Sequence, residues 1–247
     1  MSKQVGAGWR RFWPAATRQS AATREPGVTL AALKATPRPL FSYPRAFAGT
    51  PCGRDGYAVV DLETTGLSPA QGHRIVEIGI VRVGADGQPQ AEWSTLINPG
   101  GGRDTGAVGI HRITNDMVAH APRFREVVDD ILCWLGGAVV VAHNARFEAG
   151  FLTAAFAGVE RDVPTLPAID TLRLARQVVT CPDYRLSTLC SWAHVNLNDA
   201  HTALGDARAT AQVLPALLRA HMGELTWDMQ TPGLAVNPSG LCYPRPG

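Results

Sequence analysis

The sequence predicts an α/β domain built on a mixed sheet. Three observations lead there. Short apolar runs and helical-period segments alternate in the order β-β-β-α-β-α-β-α. The first three runs are joined by turn clusters, which makes them a meander. The later runs are bounded by helices, as buried parallel strands require.

The chain has 247 residues, 45% of them apolar, enough to fill a sizeable core. No apolar run reaches the roughly 18 residues of a membrane span, and the N-terminus lacks the apolar segment of a secretory signal. Cys52, Cys133, Cys181, Cys190 and Cys242 are scattered and form no C-x-x-C pair. Neither a zinc site nor a disulfide framework is indicated, so reduced thiols in the cytoplasm are the simplest reading.

Charge is unevenly spread. Residues 1–54 carry nine Lys and Arg against Glu25 alone, a balance of +8, whereas residues 55–247 carry 14 basic and 20 acidic residues, a balance of −6. Six prolines interrupt residues 1–54, which read as a flexible basic extension, with Trp9 and Trp13 able to share one face of a short helix and residues 28–34 able to form a turn or two. Such an extension either contacts phosphates or is simply solvated.

The domain proper is expected over residues 55–220. Residues 57–62 form a central strand ending in the turn cluster Thr64-Thr65-Gly66-Leu67-Ser68-Pro69. Residues 74–83 are apolar on both alternating faces, and Ala85-Asp86-Gly87-Gln88 turns the chain into a third strand, 91–97. Thr114 is placed to cap a short helix. Residues 124–135 carry apolar side chains at a helical period, and Gly136-Gly137 ends them. Residues 138–142 are a fourth strand, followed by a helix through Phe151 and Phe156, where Phe147 and Phe151 read as core rather than as base-stacking rings. Residues 166–170 are a fifth strand. Helices follow at 171–179, 186–193 and from about 202, the last containing Pro215. Prolines mark residues 221–247 as an irregular tail.

Chemistry is first suggested by Asp61-Leu62-Glu63. In a strand, residues two apart point the same way, so both carboxylates leave one face at the strand end. Like charges this close repel unless a cation lies between them, and hard oxygen ligands suit Mg²⁺ or Mn²⁺. Taken alone the triplet more often marks a solvated strand end. Two further patterns follow it in order: His143-Asn144-Ala145-Arg146-Phe147-Glu148 and His201-Thr202-Ala203-Leu204-Gly205-Asp206.

With these three motifs, residues 55–220 resemble the DEDDh-type 3′–5′ exonucleases, the family of the proofreading subunit of bacterial DNA polymerase III, RNase T and oligoribonuclease. The resemblance implies an RNase H-like fold, with a five-stranded mixed sheet flanked by helices. It implies that Asp61, Glu63 and Asp206 bind metal and that His201 is the general base. The family's remaining carboxylate is an aspartate, and Glu148 stands there with one more methylene. Two divalent cations, Mg²⁺ or Mn²⁺, about 4 Å apart would serve the hydrolysis. The expected products are nucleoside monophosphates, released from the 3′ ends of single-stranded DNA or RNA.

The backbone from Thr64 through Gly66 to Leu67 is expected to meet the terminal nucleotide, with Leu67 against a base. Asn144 either bonds a phosphate oxygen or caps a turn. A DNA polymerase is a candidate partner and no membrane is involved. Because of Glu148 and the basic extension, an impaired nuclease serving as a nucleic-acid-binding or polymerase-associated adaptor is the alternative.

Overall fold

The computed structural model of the protein describes residues 38–43, 50–51, 56–221 and 226–227, all within the compact unit Pro37–Gly247. The expectations for Trp9, Trp13, residues 28–34 and most of the tail fall outside these residues. The strands are β1 (Phe41–Ser42), β2 (Thr50–Pro51), β3 (Tyr57–Thr64), β4 (Ile75–Val83), β5 (Pro89–Leu96), β6 (Val139–Ala142), β7 (Leu166–Asp170) and β8 (Thr226–Trp227). The helices are α1 (Val108–His111), α2 (Asn115–Ala119), α3 (Phe124–Leu135), α4 (Arg146–Gly158), α5 (Thr171–Val178), α6 (Leu186–Trp192) and α7 (Ala203–Ala220).

The main sheet has six strands in the order β1-β7-β6-β3-β4-β5. β4 pairs antiparallel with both β3 and β5, and the β3-β6, β6-β7 and β7-β1 pairs are parallel. This is the expected RNase H-like arrangement with one correction: six strands, not five. The additional strand is β1, which lies N-terminal to residue 55, inside the stretch expected to be a flexible extension. Phe41 pairs with Leu166, and both Leu40 and Phe41 are buried in the core. Two residues show no period, so only the open edge of β7 reveals them as a strand. Beside this sheet, β2 pairs antiparallel with β8.

Period-2 alternation sorts the sheet into two faces. Ala58, Val60 and Leu62 of β3 pack with Ile131 and Leu135 of α3 and Phe151, Leu152 and Phe156 of α4. Tyr57 and Val59 face the other layer, with Leu174 of α5, Leu189 of α6 and Val213, Leu214 and Leu217 of α7. Asp61 and Glu63 continue the second row, so the strand aims both toward α7. Buried Arg82 sends one guanidinium nitrogen to the carbonyls of Trp134 and Gly136, each at 3.1 Å, and thereby satisfies the end of α3.

Two glycines let α7 come in close. A Cβ on Gly79, which pairs with Asp61 in the sheet, would overlap the Ala203–Leu204 peptide. A Cβ on Gly205 would overlap the carbonyl of Asp199 in the loop before the helix. Thr202 caps α7, its hydroxyl accepting from the Gly205 N–H at 3.0 Å. No helix among the described residues is long and apolar enough to cross a membrane.

Candidate active site

The carboxyl ends of β3, β6 and β7 lie side by side, and the site forms beyond them. From β3 come Asp61 and Glu63. Asp206 comes from the first turn of α7. Oxygen atoms of these three lie within 4.8 Å of one another. Glu148, in the first turn of α4, enters from the opposite layer. It stands outside that group of three, yet it is the carboxylate acting most strongly on Asp61. Glu148 is 3% exposed and its Oε2 has no hydrogen-bond partner among the described residues.

Asp61 keeps some exposure to the cleft but is packed round by protein atoms. Burial raises its carboxyl well above the usual range, and Glu148, Asp206 and Glu63 push the same way. Burial, then Asp206 and Glu77, lifts Glu63 to about 7. Burial likewise raises Glu148, with Asp170 adding to it. Asp206 is raised by burial and partly relieved by the backbone N–H and the charge of His201. Burial first, and then the neighbouring carboxylates, disfavour the charged forms of these converging acids, which a positive charge among them would relieve. Glu148 Oε2, which has no hydrogen-bond partner among the described residues, adds a buried oxygen ligand. This donor set of four carboxylates therefore fits hard divalent cations.

His201 lies in the loop just before α7. It is exposed, with a positive φ of 64°, and it shares a cavity wall with Asp206. Its backbone N–H donates to the Asp206 carboxylate.

Thr64 is buried and its hydroxyl donates to the Gly66 carbonyl at 2.7 Å, so its side chain serves the turn. A Cβ on Gly66 would lie 2.6 Å from the His73 ring, whose Nδ1 accepts from the Ser68 N–H at 3.1 Å. The turn thus holds Leu67 outward, 84% exposed. Asn144 is exposed at φ 68°, its carbonyl accepting from the Phe147 N–H at 2.8 Å. Its side chain lines the same cavity as His201. Phe147 and Phe151 meet with their rings tilted, centroids 4.8 Å apart, packed against the core as expected.

Sequence reading missed several neighbours. Glu77 pairs with Glu63 across β3 and β4, and its Oε2 accepts from the Ala203 N–H at 2.9 Å. The pairing then slips by one residue, Thr64 lying opposite Ile75. The only signal for Glu77 was an acid within a largely apolar strand. Asp170 ends β7 and caps α5, accepting from the Leu172 and Arg173 N–H groups. His143 bonds the Thr171 hydroxyl at 3.0 Å. Tyr43, just after β1, lies 5.3 Å beneath the Arg173 guanidinium and within the fields of Asp170 and Glu148.

Comparison with known proteins agrees with this geometry. A family model described as an exonuclease, RNase_T, matches residues 58–214. A PolC-type DNA polymerase III of Oceanobacillus iheyensis is 35% identical over 166 residues, which span 67% of this chain and 12% of that one. A DNA polymerase III subunit epsilon-like protein of Rhodobacter capsulatus is 36% identical over 179 residues, 71% of this chain and 25% of that one. The chain thus spans no more than about a quarter of these relatives' length. Among solved structures, exonuclease X bound to 5′-overhanging duplex DNA matches with a TM-score of 0.54 and 28% identity, covering 71% of this chain and 96% of that one. The nuclease domain of 3′hExo, a DEDDh family member bound to rAMP, shares the fold at a TM-score of 0.62 and 17% identity, covering 71% of this chain and 98% of that one. Motifs, fold and relatives agree: the chain belongs to the DEDDh-type 3′–5′ exonuclease family, with Glu148 at the third carboxylate position.

Proposed function

We propose that the chain hydrolyses single-stranded DNA or RNA from the 3′ end, releasing nucleoside monophosphates. The observation that carries this reading is the meeting of Asp61, Glu63 and Asp206, with Glu148 behind Asp61, beside the exposed His201. These four carboxylates would hold two divalent cations, Mg²⁺ or Mn²⁺, which when bound supply an activated water and charge relief at the leaving 3′-oxygen.

The chain's own residues do the rest. His201 takes the proton of the attacking water, from a loop that can move while Asp206 is held by α7. Leu67 presents an apolar surface to the terminal base, and the Thr64–Gly66 turn keeps it there. Asn144 offers an amide to a phosphate oxygen. Glu148, longer than aspartate by one methylene, can approach a cation from the buried side.

Incubation of a 5′-labelled oligonucleotide with Mg²⁺ or Mn²⁺ tests the reading. A ladder shortened from the 3′ end is expected; an intact strand with both ions overturns it. The DNA polymerase III relatives support a DNA polymerase as partner, the cytoplasm is the proposed compartment, and the basic residues 1–54 would add phosphate contacts that salt weakens. The second reading, a nucleic-acid-binding or polymerase-associated adaptor, rests on Glu148 and the basic residues 1–54. It predicts that Glu148→Asp gains an activity the parent lacks.

A further inference from the structure

Leu67 is more exposed than any other large apolar side chain among the described residues. A side chain with so little to pack against is placed by its backbone. Whatever fixes that backbone therefore fixes where the leucine stands.

Both chain neighbours of Leu67 rest on one imidazole, that of His73 at the far end of the same loop. On one side, a Cβ on Gly66 would lie 2.6 Å from Cδ2, Cε1 and Nε2 of the ring alike, which puts it over the ring face rather than at its edge. Gly66 does not have a left-handed φ, so contact with the ring, and not backbone conformation, excludes a side chain there. On the other side, the Ser68 N–H donates to His73 Nδ1 at 3.1 Å. That bond uses the lone pair of Nδ1, so the ring carries its proton on Nε2. Swinging the ring away from Gly66 would break it.

The rest of the loop is closed by other bonds. The Thr65 N–H donates to the Arg74 carbonyl at 2.8 Å, and the Arg74 N–H donates to the Thr65 hydroxyl at 3.0 Å. The Gln71 N–H donates to the Ser68 carbonyl at 3.1 Å. These bonds fix the stem and the far turn. Between them, the Thr64 hydroxyl holds the Gly66 carbonyl and the imidazole supports the stretch that carries Leu67. His73 is only half-buried, so the core does not depend on it.

We propose that His73 is a positioning residue for the 3′-terminal nucleotide: one ring, by its face and by Nδ1, holds both neighbours of Leu67 and so sets where the leucine meets the terminal base. This deepens the exonuclease reading and rests on it.

Steady-state cleavage of a 5′-labelled oligothymidylate in Mn²⁺ tests it, with melting temperatures as the check on folding. His73→Ala should raise KM about fivefold, the effect of losing one neutral hydrogen bond, and change kcat less, because β3 and α7 hold the carboxylates. His73→Asn sets an amide oxygen near the place of Nδ1 and should recover part of that loss. Gly66→Ala should also raise KM, since its methyl must displace the ring or the turn. In the His73→Ala background that methyl enters vacated space and should change KM by less than about twofold. Adding His73→Ala to Leu67→Ala should likewise change KM by less than about twofold, as befits a residue that acts through Leu67. An unchanged KM in His73→Ala, the same rise repeated in the Leu67→Ala background, or a Gly66→Ala effect equal in both backgrounds overturns the proposal. If the parent leaves the strand intact, the exonuclease reading has failed, and the Kd of the same strand in Mn²⁺, read by fluorescence anisotropy, replaces KM in every arm. The same pattern then supports His73 as the brace of the binding surface, and a uniform Kd overturns it.

Discussion

Glu77 of β4 accepts a hydrogen bond from the backbone N–H of Ala203 at 2.9 Å, tying the start of α7 to the sheet directly beside Glu63. His201 and Asp206 flank that bond in sequence, so their reach toward Asp61 depends on it. Glu77→Ala should cost about 1–3 kcal/mol in urea unfolding, because it leaves the Ala203 N–H unpaired. It should also lower kcat more than it raises KM. Glu77→Gln keeps an acceptor oxygen and should restore most of the stability.

Gly79 is where the helix touches the strand. Gly79→Ala would force the Ala203–Leu204 peptide away, at about 1–3 kcal/mol. The displaced Asp206 should weaken cation binding, measured by titrating Mn²⁺ against activity.

His201→Gln should reduce kcat by about 10²–10⁴-fold near neutral pH if the imidazole accepts the proton of the attacking water. Because the residue is exposed, its melting temperature should match that of the parent. An equal fall in stability would mean that the ring is structural.

The carboxylates make a prediction about pH. Asp61, Glu63, Glu148 and Asp206 all have folded-state pKa values raised above those of the unfolded chain, Glu63 to about 7. Between the ordinary carboxylate range and about 7 the folded state therefore binds more protons than the unfolded one. Stability without metal falls as pH rises through that window. In EDTA the melting temperature should be lower at pH 7.5 than at pH 5, and Mn²⁺ should raise it more at the higher pH. A flat profile in EDTA would contradict the raised carboxylates.

Asp61→Asn removes one of the repelling charges. It should lower activity by at least about 10²–10³-fold, since charge stabilisation at the reacting centre is lost. In EDTA at pH 7.5 its melting temperature should equal or exceed that of the parent.

Much of this protein was legible from residue order. The apolar runs at residues 57–62 and 74–83 marked two buried strands, because a strand apolar on both faces needs a packing layer on each side. The period of residues 124–135 did the same for α3. Asp61 and Glu63 could be paired from spacing alone, and the three motifs marked which distant acids would join them. The chain by itself did not show β1, since two residues form a strand only where a sheet edge offers hydrogen bonds. Nor did it assign Glu77 or Gly79, whose roles exist only once α7 packs against the strands. Local pattern decides which face a residue takes. Which partner meets it there is set by close packing between segments more than a hundred residues apart, as Glu77 and Ala203 are.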